Sequence, residues 1–142
     1  MSYDLILVSF ALARDGHPRG DEMSIIQEIL APYCYGGPCP PQEMTTGTDL
    51  ESPREDWGAA YITGLDNDGL GINRPPVWDM EFLELLCNIC CRADCFICEP
   101  CSGDFFVFTA EQDTYWRADG KQTVIWVHSP EELDAAYNES AS

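Results

Sequence analysis

The chain has 142 residues, the length of one domain, and its 45% hydrophobic and 11% aromatic content is that of a globular rather than a disordered protein. It carries 25 acidic residues against 7 basic ones, a formal net charge of −18. This charge disfavours nucleic acid and anionic membranes as partners, and it fits either solubility alone or a surface for a basic protein partner. The second interpretation is favoured because the charge exceeds the roughly 2–8 that solubility asks of a small domain.

The sequence shows no sign of export or of a membrane span. No stretch approaches the ~20 apolar residues that cross a bilayer. The N-terminal run carries Asp4 and no basic residue, whereas a signal peptide begins with basic residues. We therefore expect a cytoplasmic protein.

In the first part of the chain, an apolar run from Tyr3 to Phe10 predicts a buried strand. After a turn-rich segment, apolar residues at helical spacing predict a helix that begins at the N-cap Asp21 and ends before Pro32. Residues 34–57 show no period and predict a long irregular loop, which is typical of a functional or mobile segment and equally of an insertion.

The middle of the chain predicts a hairpin and a second helix. Residues 58–65 and 70–73 flank the turn Asp66-Asn-Asp-Gly69, as in a β-hairpin. Asp79 is a plausible N-cap for a helix with one apolar stripe that ends near residues 92–94.

The last part predicts three short strands, at residues 95–98, 105–109 and 122–128. Ser129-Pro-Glu-Glu132 is a capping box that opens a helix to about Tyr137, and residues 138–142 predict a frayed tail. The sequence thus predicts a single α+β domain over residues 1–142, in which a mostly antiparallel or mixed β-sheet has two to three helices packed on one face.

The chain has eight cysteines, and six of them lie within residues 87–101. This clustering allows three interpretations. One is a zinc site formed by Cys87, Cys91, Cys98 and Cys101. Another is a set of disulfides such as Cys34–Cys39, which would require export. The third is that the cysteines are small buried apolar residues, and their positions in a helical stripe favour it.

Nothing in the sequence predicts catalysis. The two histidines, His17 and His128, lie outside any recognisable catalytic motif, and no phosphate-binding or dinucleotide-binding motif is present. We expect a protein that is not an enzyme and that has no cofactor, zinc being the one alternative.

The candidate partner-binding residues lie mainly in the irregular loop. Its carboxylates would pair with Arg and Lys of a partner, and Trp57, with Trp78 as a second candidate, would supply an aromatic anchor. The acidic residues of this predicted patch are Glu43, Asp49, Glu51, Glu55 and Asp56.

Several short motifs resemble those of small uncharacterised bacterial proteins of the toxin-immunity type. They are Met1-Ser-Tyr-Asp-Leu5, Gly71-Ile-Asn-Arg-Pro-Pro76, Phe82-Leu-Glu-Leu-Leu86, Glu99-Pro100 and Ser102-Gly103. The resemblance covers residues 1–10 and 60–105, and the cysteine cluster departs from it. It implies a cytoplasmic antagonist that caps a basic or nucleic-acid-directed toxin, and it brings no catalytic residues.

Two other functions remain open from the sequence. One is a phage or mobile-element protein that mimics DNA and blocks a nucleic-acid-binding enzyme, which needs carboxylates in rows at phosphate-like intervals. The other is a zinc-binding module built from the cysteine cluster.

Overall fold

The structure, a computed structural model, describes residues 5–31, 48–49, 61–66, 69–73, 77, 79–100 and 102–141. In this part of the chain there are seven strands: β1 (Leu5–Ser9), β2 (Thr48–Asp49), β3 (Tyr61–Asp66), β4 (Gly69–Asn73), β5 (Cys95–Cys98), β6 (Phe105–Val107) and β7 (Val124–Trp126). The same residues form five helices: α1 (Phe10–Asp15), α2 (Glu22–Leu30), α3 (Met80–Arg92), α4 (Ala110–Asp119) and α5 (Pro130–Ala141).

All described strands belong to one mixed sheet with the order β2-β3-β4-β1-β5-β6-β7. Neighbouring strands are antiparallel except β6 and β7, which are parallel because α4 carries the chain back between them. In the centre of the sheet, Leu7 of β1 lies opposite Leu70 of β4 and Ile97 of β5. The predicted α+β class and mixed sheet are confirmed.

The period-two alternation of β1 divides the sheet into two faces. Leu5 and Leu7 are each 1% exposed and belong to the main hydrophobic cluster, with buried side chains of α2, α3 and α5. Ile6 points to the other face and is 41% exposed, and Val8 packs against a second cluster. The main cluster therefore lies between the sheet and three helices on one face.

The second cluster is largely aromatic and lies under α4, on the opposite face. Trp116 of α4 packs against Phe96 and Phe105 of the sheet, with ring centroids 5.1 and 4.9 Å apart. Phe10 contacts Tyr115 edge to face at 5.6 Å. The expected packing of helices on one face thus holds for α2, α3 and α5, and α4 is a further helix on the other face.

Two helices were not predicted. The first strand ends at Ser9 instead of Phe10, because the Ser9 hydroxyl accepts a hydrogen bond from the backbone N–H of Leu12 and starts α1. Helix α4 follows Thr109, whose hydroxyl accepts from Gln112 N–H, and it ends at Gly120 with φ of 72°.

The predicted helix starts have mixed outcomes. Asp79 caps α3 as predicted, accepting from the N–H groups of Glu81 and Phe82. Asp21 precedes α2 but makes no side-chain capping bond, because its carboxylate pairs with Arg19.

At the last helix, the Ser129 hydroxyl accepts from the N–H of Glu132, as expected of the capping box. The helix continues to Ala141, four residues beyond the predicted end at Tyr137. In this added turn, Asn138 Nδ2 donates to Asp134 Oδ1 at 2.7 Å.

None of the helices in the described ranges is long and apolar enough to span a membrane.

Candidate functional site

The predicted loop patch lies almost wholly outside the described residues. Asp49 lies in the short strand β2, opposite Tyr61. The other members, Glu43, Glu51, Glu55, Asp56, Trp57 and Trp78, are outside the described ranges, so that patch stays a prediction.

Among the described residues, an acidic groove runs between α2 and α3. Its volume is about 370 Å³. Ile29 and Leu85, both buried in the main cluster, form its apolar floor. The polar lining residues come from both helices and are Glu28, Glu81, Glu84, Asn88 and Arg92.

The described lining residues of the groove include more carboxylates than cations. Three lining carboxylates stand against one guanidinium, that of Arg92. Arg92 Nη2 lies 3.6 Å from Glu28 Oε2, and both side chains are largely exposed. This ion pair therefore contributes little to the stability of the fold. Among the described lining residues, the exposed carboxylates of Glu28 and Glu84 thus lie beside the buried Ile29 and Leu85.

The acidic surface continues from α3 onto α5. Burial raises the pKa of the Cys87 thiol to about 12, and the negative charges of Cys91, Glu131 and Glu84 add to that rise. Glu84 of α3 and Glu131 of α5 therefore both lie near the Cys87 thiol, and both side chains are exposed. We call Glu28, Glu81, Glu84 and Glu131 the acidic helical face.

Elsewhere in the described part, arginines are paired with nearby carboxylates. Arg14 contacts both Asp15 and Glu111. The hydrogen bond from Arg14 is the main cause that lowers the pKa of the Asp15 carboxyl.

Two more arginines form close local ion pairs. Arg19 Nη2 lies 2.8 Å from Asp21 Oδ2, and Arg117 Nε lies 2.8 Å from Asp113 Oδ1. Because these cations are engaged locally, they do little to offset the acidic helical face.

The two described tryptophans lie in or beside the second cluster rather than at the acidic helical face. Trp116 packs among Phe96, Phe105 and Tyr115. Trp126 is half-buried and stacks on the His128 ring at a centroid distance of 4.5 Å. Trp57 and Trp78, the two tryptophans predicted as aromatic anchors, lie outside the described residues.

Two cysteines of the predicted zinc site, Cys87 and Cys98, lie on opposite faces of the sheet. Cys87 packs against the main cluster, Cys98 packs against the second cluster, and Cys91 is exposed. Cys101 lies outside the described residues. Within the described ranges no three His, Cys, Asp or Glu side chains are grouped to hold a metal ion.

The interpretation of the cysteines as small apolar residues fits two of them closely. Cys90 and Cys95 are buried in the main cluster, and burial is the main cause that raises the pKa of each thiol. Cys91 departs from the expected buried stripe because its position on α3 faces outward.

The histidines occupy exposed positions. His17 Nδ1 lies 3.4 Å from the carbonyl oxygen of Pro18, and His128 stacks on Trp126. Among the described lining residues, neither the acidic groove nor a shallow groove beside α1 and α4 includes a histidine or a cysteine.

Sequence reasoning did not predict the acidic helical face. Glu81 and Glu84 fall outside the apolar stripe of α3, which indicates that they are exposed. Glu28 lies across the groove from Glu81 and Glu84 because α2 packs against α3, and a pattern within one helix does not report this packing.

Comparisons with protein-family models, with curated protein sequences and with solved structures gave no match to this chain.

Proposed function

We propose that this chain is a non-enzymatic acidic binding protein that inhibits a basic or nucleic-acid-directed partner protein by occlusion, in the cytoplasm, as an immunity protein does. The observation that carries the proposal is the acidic groove, in which Glu28, Glu81 and Glu84 stand over the apolar floor of Ile29 and Leu85. The whole chain is also negatively charged, with a formal net charge of −18.

The carboxylates of the acidic helical face would act first on the rate of association. A negative surface with a low-dielectric floor steers a basic partner toward the groove and raises its on-rate, an effect that salt screens. Arg or Lys side chains of the partner would then pair with Glu84 and Glu131, and their alkyl stems would lie over Leu85.

Tight binding would need more than these exposed charges. Exposed ion pairs give at most about 1 kcal/mol each, whereas buried aromatic anchors dominate the affinity of protein interfaces. The predicted loop patch with Trp57, and Trp78 beside α3 in sequence, would supply such an anchor. Occlusion would follow when this combined surface covers the working site of the partner.

The experiment is capture of the partner from the native host at low salt, followed by affinity measurements with the purified partner over a range of ionic strength. We expect a basic protein whose activity stops on binding and whose affinity falls steeply with salt. An affinity that does not change with salt would contradict the proposal.

A matched pair of variants localises the binding surface. Glu84→Lys changes the charge within the acidic groove, and Asp119→Lys makes the same change at the exposed C-terminal end of α4, on the other face of the sheet. We expect Glu84→Lys to weaken binding at least tenfold and Asp119→Lys to leave it within about twofold. Equal effects of the two variants would overturn the role of the acidic helical face.

A further inference from the structure

We propose that Cys87 and Cys91 form a two-coordinate site for a soft monovalent cation of the Cu(I) class. Both lie on α3, four residues apart. Side chains at this spacing are neighbours on one face of a helix, with about 5–6 Å between their Cβ atoms. This proposal does not depend on the proposed function, and its sulfur ligands are not part of the acidic groove.

The two thiols differ in exposure in a way that suits cation capture. Cys91 is exposed and accessible from solvent, and Cys87 is half-buried against the main cluster. Cys90, between them in sequence, is fully buried and points into the core. A cation that reaches Cys91 would therefore find Cys87 as its second ligand.

Carboxylates of two helices lie near Cys87. Burial is the main cause that raises the pKa of Cys87, and the charge of Cys91 is the next. Glu131 and Glu84 act on Cys87 in the same direction. The exposed carboxylates of Glu131 and Glu84 would attract a cation to this part of α3.

The ligand set selects the kind of cation. Zinc takes four ligands in structural sites, and no group of three His, Cys, Asp or Glu able to hold a metal occurs among the residues described. Cu(I) prefers soft thiolates, and two of them in line satisfy it. The helix thus offers the number and type of ligands that Cu(I) accepts and zinc does not.

Binding exchanges protons for the cation without any redox step. Each thiol loses one proton and each sulfur forms one bond to the metal, so that two thiols and M⁺ give an anionic S–M–S unit and two H⁺. Because an ordinary cysteine thiol, with a pKa of about 8.5, is mostly protonated at neutral pH, binding displaces both protons. The apparent affinity should therefore rise up to about 100-fold per pH unit.

The test uses Cu(I) as its complex with bathocuproine disulfonate, added to the fully reduced protein without oxygen. The measured quantity is the Cu(I) that each protein withdraws from the chelator. We expect the wild-type chain to withdraw one equivalent more than Cys87→Ser or Cys91→Ser. Cys98→Ser, a half-buried cysteine on the other face of the sheet, is the control and should match the wild type.

The result that overturns the site is withdrawal by Cys91→Ser equal to that of the wild type. Because Cys91 is exposed, this variant keeps the fold, which far-UV circular dichroism checks, and it decides the matter even if Cys87→Ser is unstable. Cys91→Met adds a second readout. A thioether keeps a soft ligand but carries no proton, so the affinity should rise only about tenfold per pH unit.

Discussion

The hydroxyl of Ser9 donates a 2.6 Å hydrogen bond to Oε2 of Glu22, which joins the end of β1 to the first turn of α2. The same carboxylate accepts the backbone N–H groups of Arg19 at 3.0 Å and Gly20 at 2.8 Å. Ser9 Oγ in turn caps α1 through Leu12 N–H. One buried carboxylate thus holds together the junction of β1, α1 and α2, beside the main cluster.

Loss of the Glu22 carboxylate should destabilise the fold. Glu22 is 7% exposed, and Glu22→Ala leaves the Ser9 hydroxyl and two backbone N–H groups without their acceptor. We expect the free energy of unfolding to fall by about 2–3 kcal/mol in urea titrations. The control is Glu28→Ala on the same helix, which is exposed and should cost about 0.5 kcal/mol or less. Equal losses in the two variants would contradict the role of this junction.

The contribution of Glu22 should depend on pH. Burial raises the pKa of its carboxyl, but the hydrogen bonds from Ser9, Arg19 and Gly20 outweigh burial, and the pKa is lowered. A lowered folded-state pKa stabilises the protein above the unfolded value of about 4.3, and this stabilisation is lost as the pH falls through the folded-state pKa.

Glu22→Gln isolates this effect from the titration of the other carboxylates. The difference in unfolding free energy between wild type and Glu22→Gln should be largest near neutral pH and shrink below about pH 4. Urea titrations at several pH values measure it. A difference that stays constant down to pH 3 would show that the ionised form of Glu22 is not the stabilising one.

Gln112 is a second buried polar residue on which the fold should depend. It is 0% exposed; its Oε1 accepts from Phe108 N–H, and its Nε2 donates to Asp94 Oδ1 and to the carbonyl of Cys95. We expect Gln112→Leu to lower the unfolding free energy by about 2–3 kcal/mol, because buried backbone groups lose their partners. Thr114→Ala, on the exposed side of α4, should stay within about 0.5 kcal/mol of wild type.

Gln112 also explains why the sequence did not predict α4. An amphipathic helix is recognised by an apolar stripe, and over residues 110–119 the most buried side chain is an amide. Its signals were the N-cap Thr109 and the C-terminal Gly120, which are weak without a stripe. Helix α3 was predicted because Asp79 and an apolar stripe agreed.

The acidic helical face shows the same division between local and tertiary information. The exposure of Glu81 and Glu84 can be predicted from their positions outside the stripe of α3. Their grouping with Glu28 and Glu131 depends on how α2 and α5 pack against α3, which no pattern within one helix reports. The same holds for Cys87 and Cys98, whose separation onto two faces follows from the position of β5 in the sheet.

The described cysteines should differ widely in their reaction with a thiol reagent. The thiolate is the reactive form, and burial, the main cause for each, raises the pKa of Cys87 and Cys95 to about 12 and that of Cys98 to about 11. Burial also raises the pKa of Cys91, but Cys91 is the exposed one among these cysteines. We expect iodoacetamide at pH 8 to label Cys91 first among these residues.

Mass spectrometry of peptides after timed labelling measures this order, with labelling in urea as the reference. Cys90, which is fully buried, should become labelled only as the protein unfolds, at the rate of Cys95. The Glu22→Ala variant should speed the labelling of both, since lower stability raises the population of open states. Labelling of Cys90 as fast as Cys91 in the folded wild type would mean that α3 does not direct these two neighbouring thiols to opposite environments.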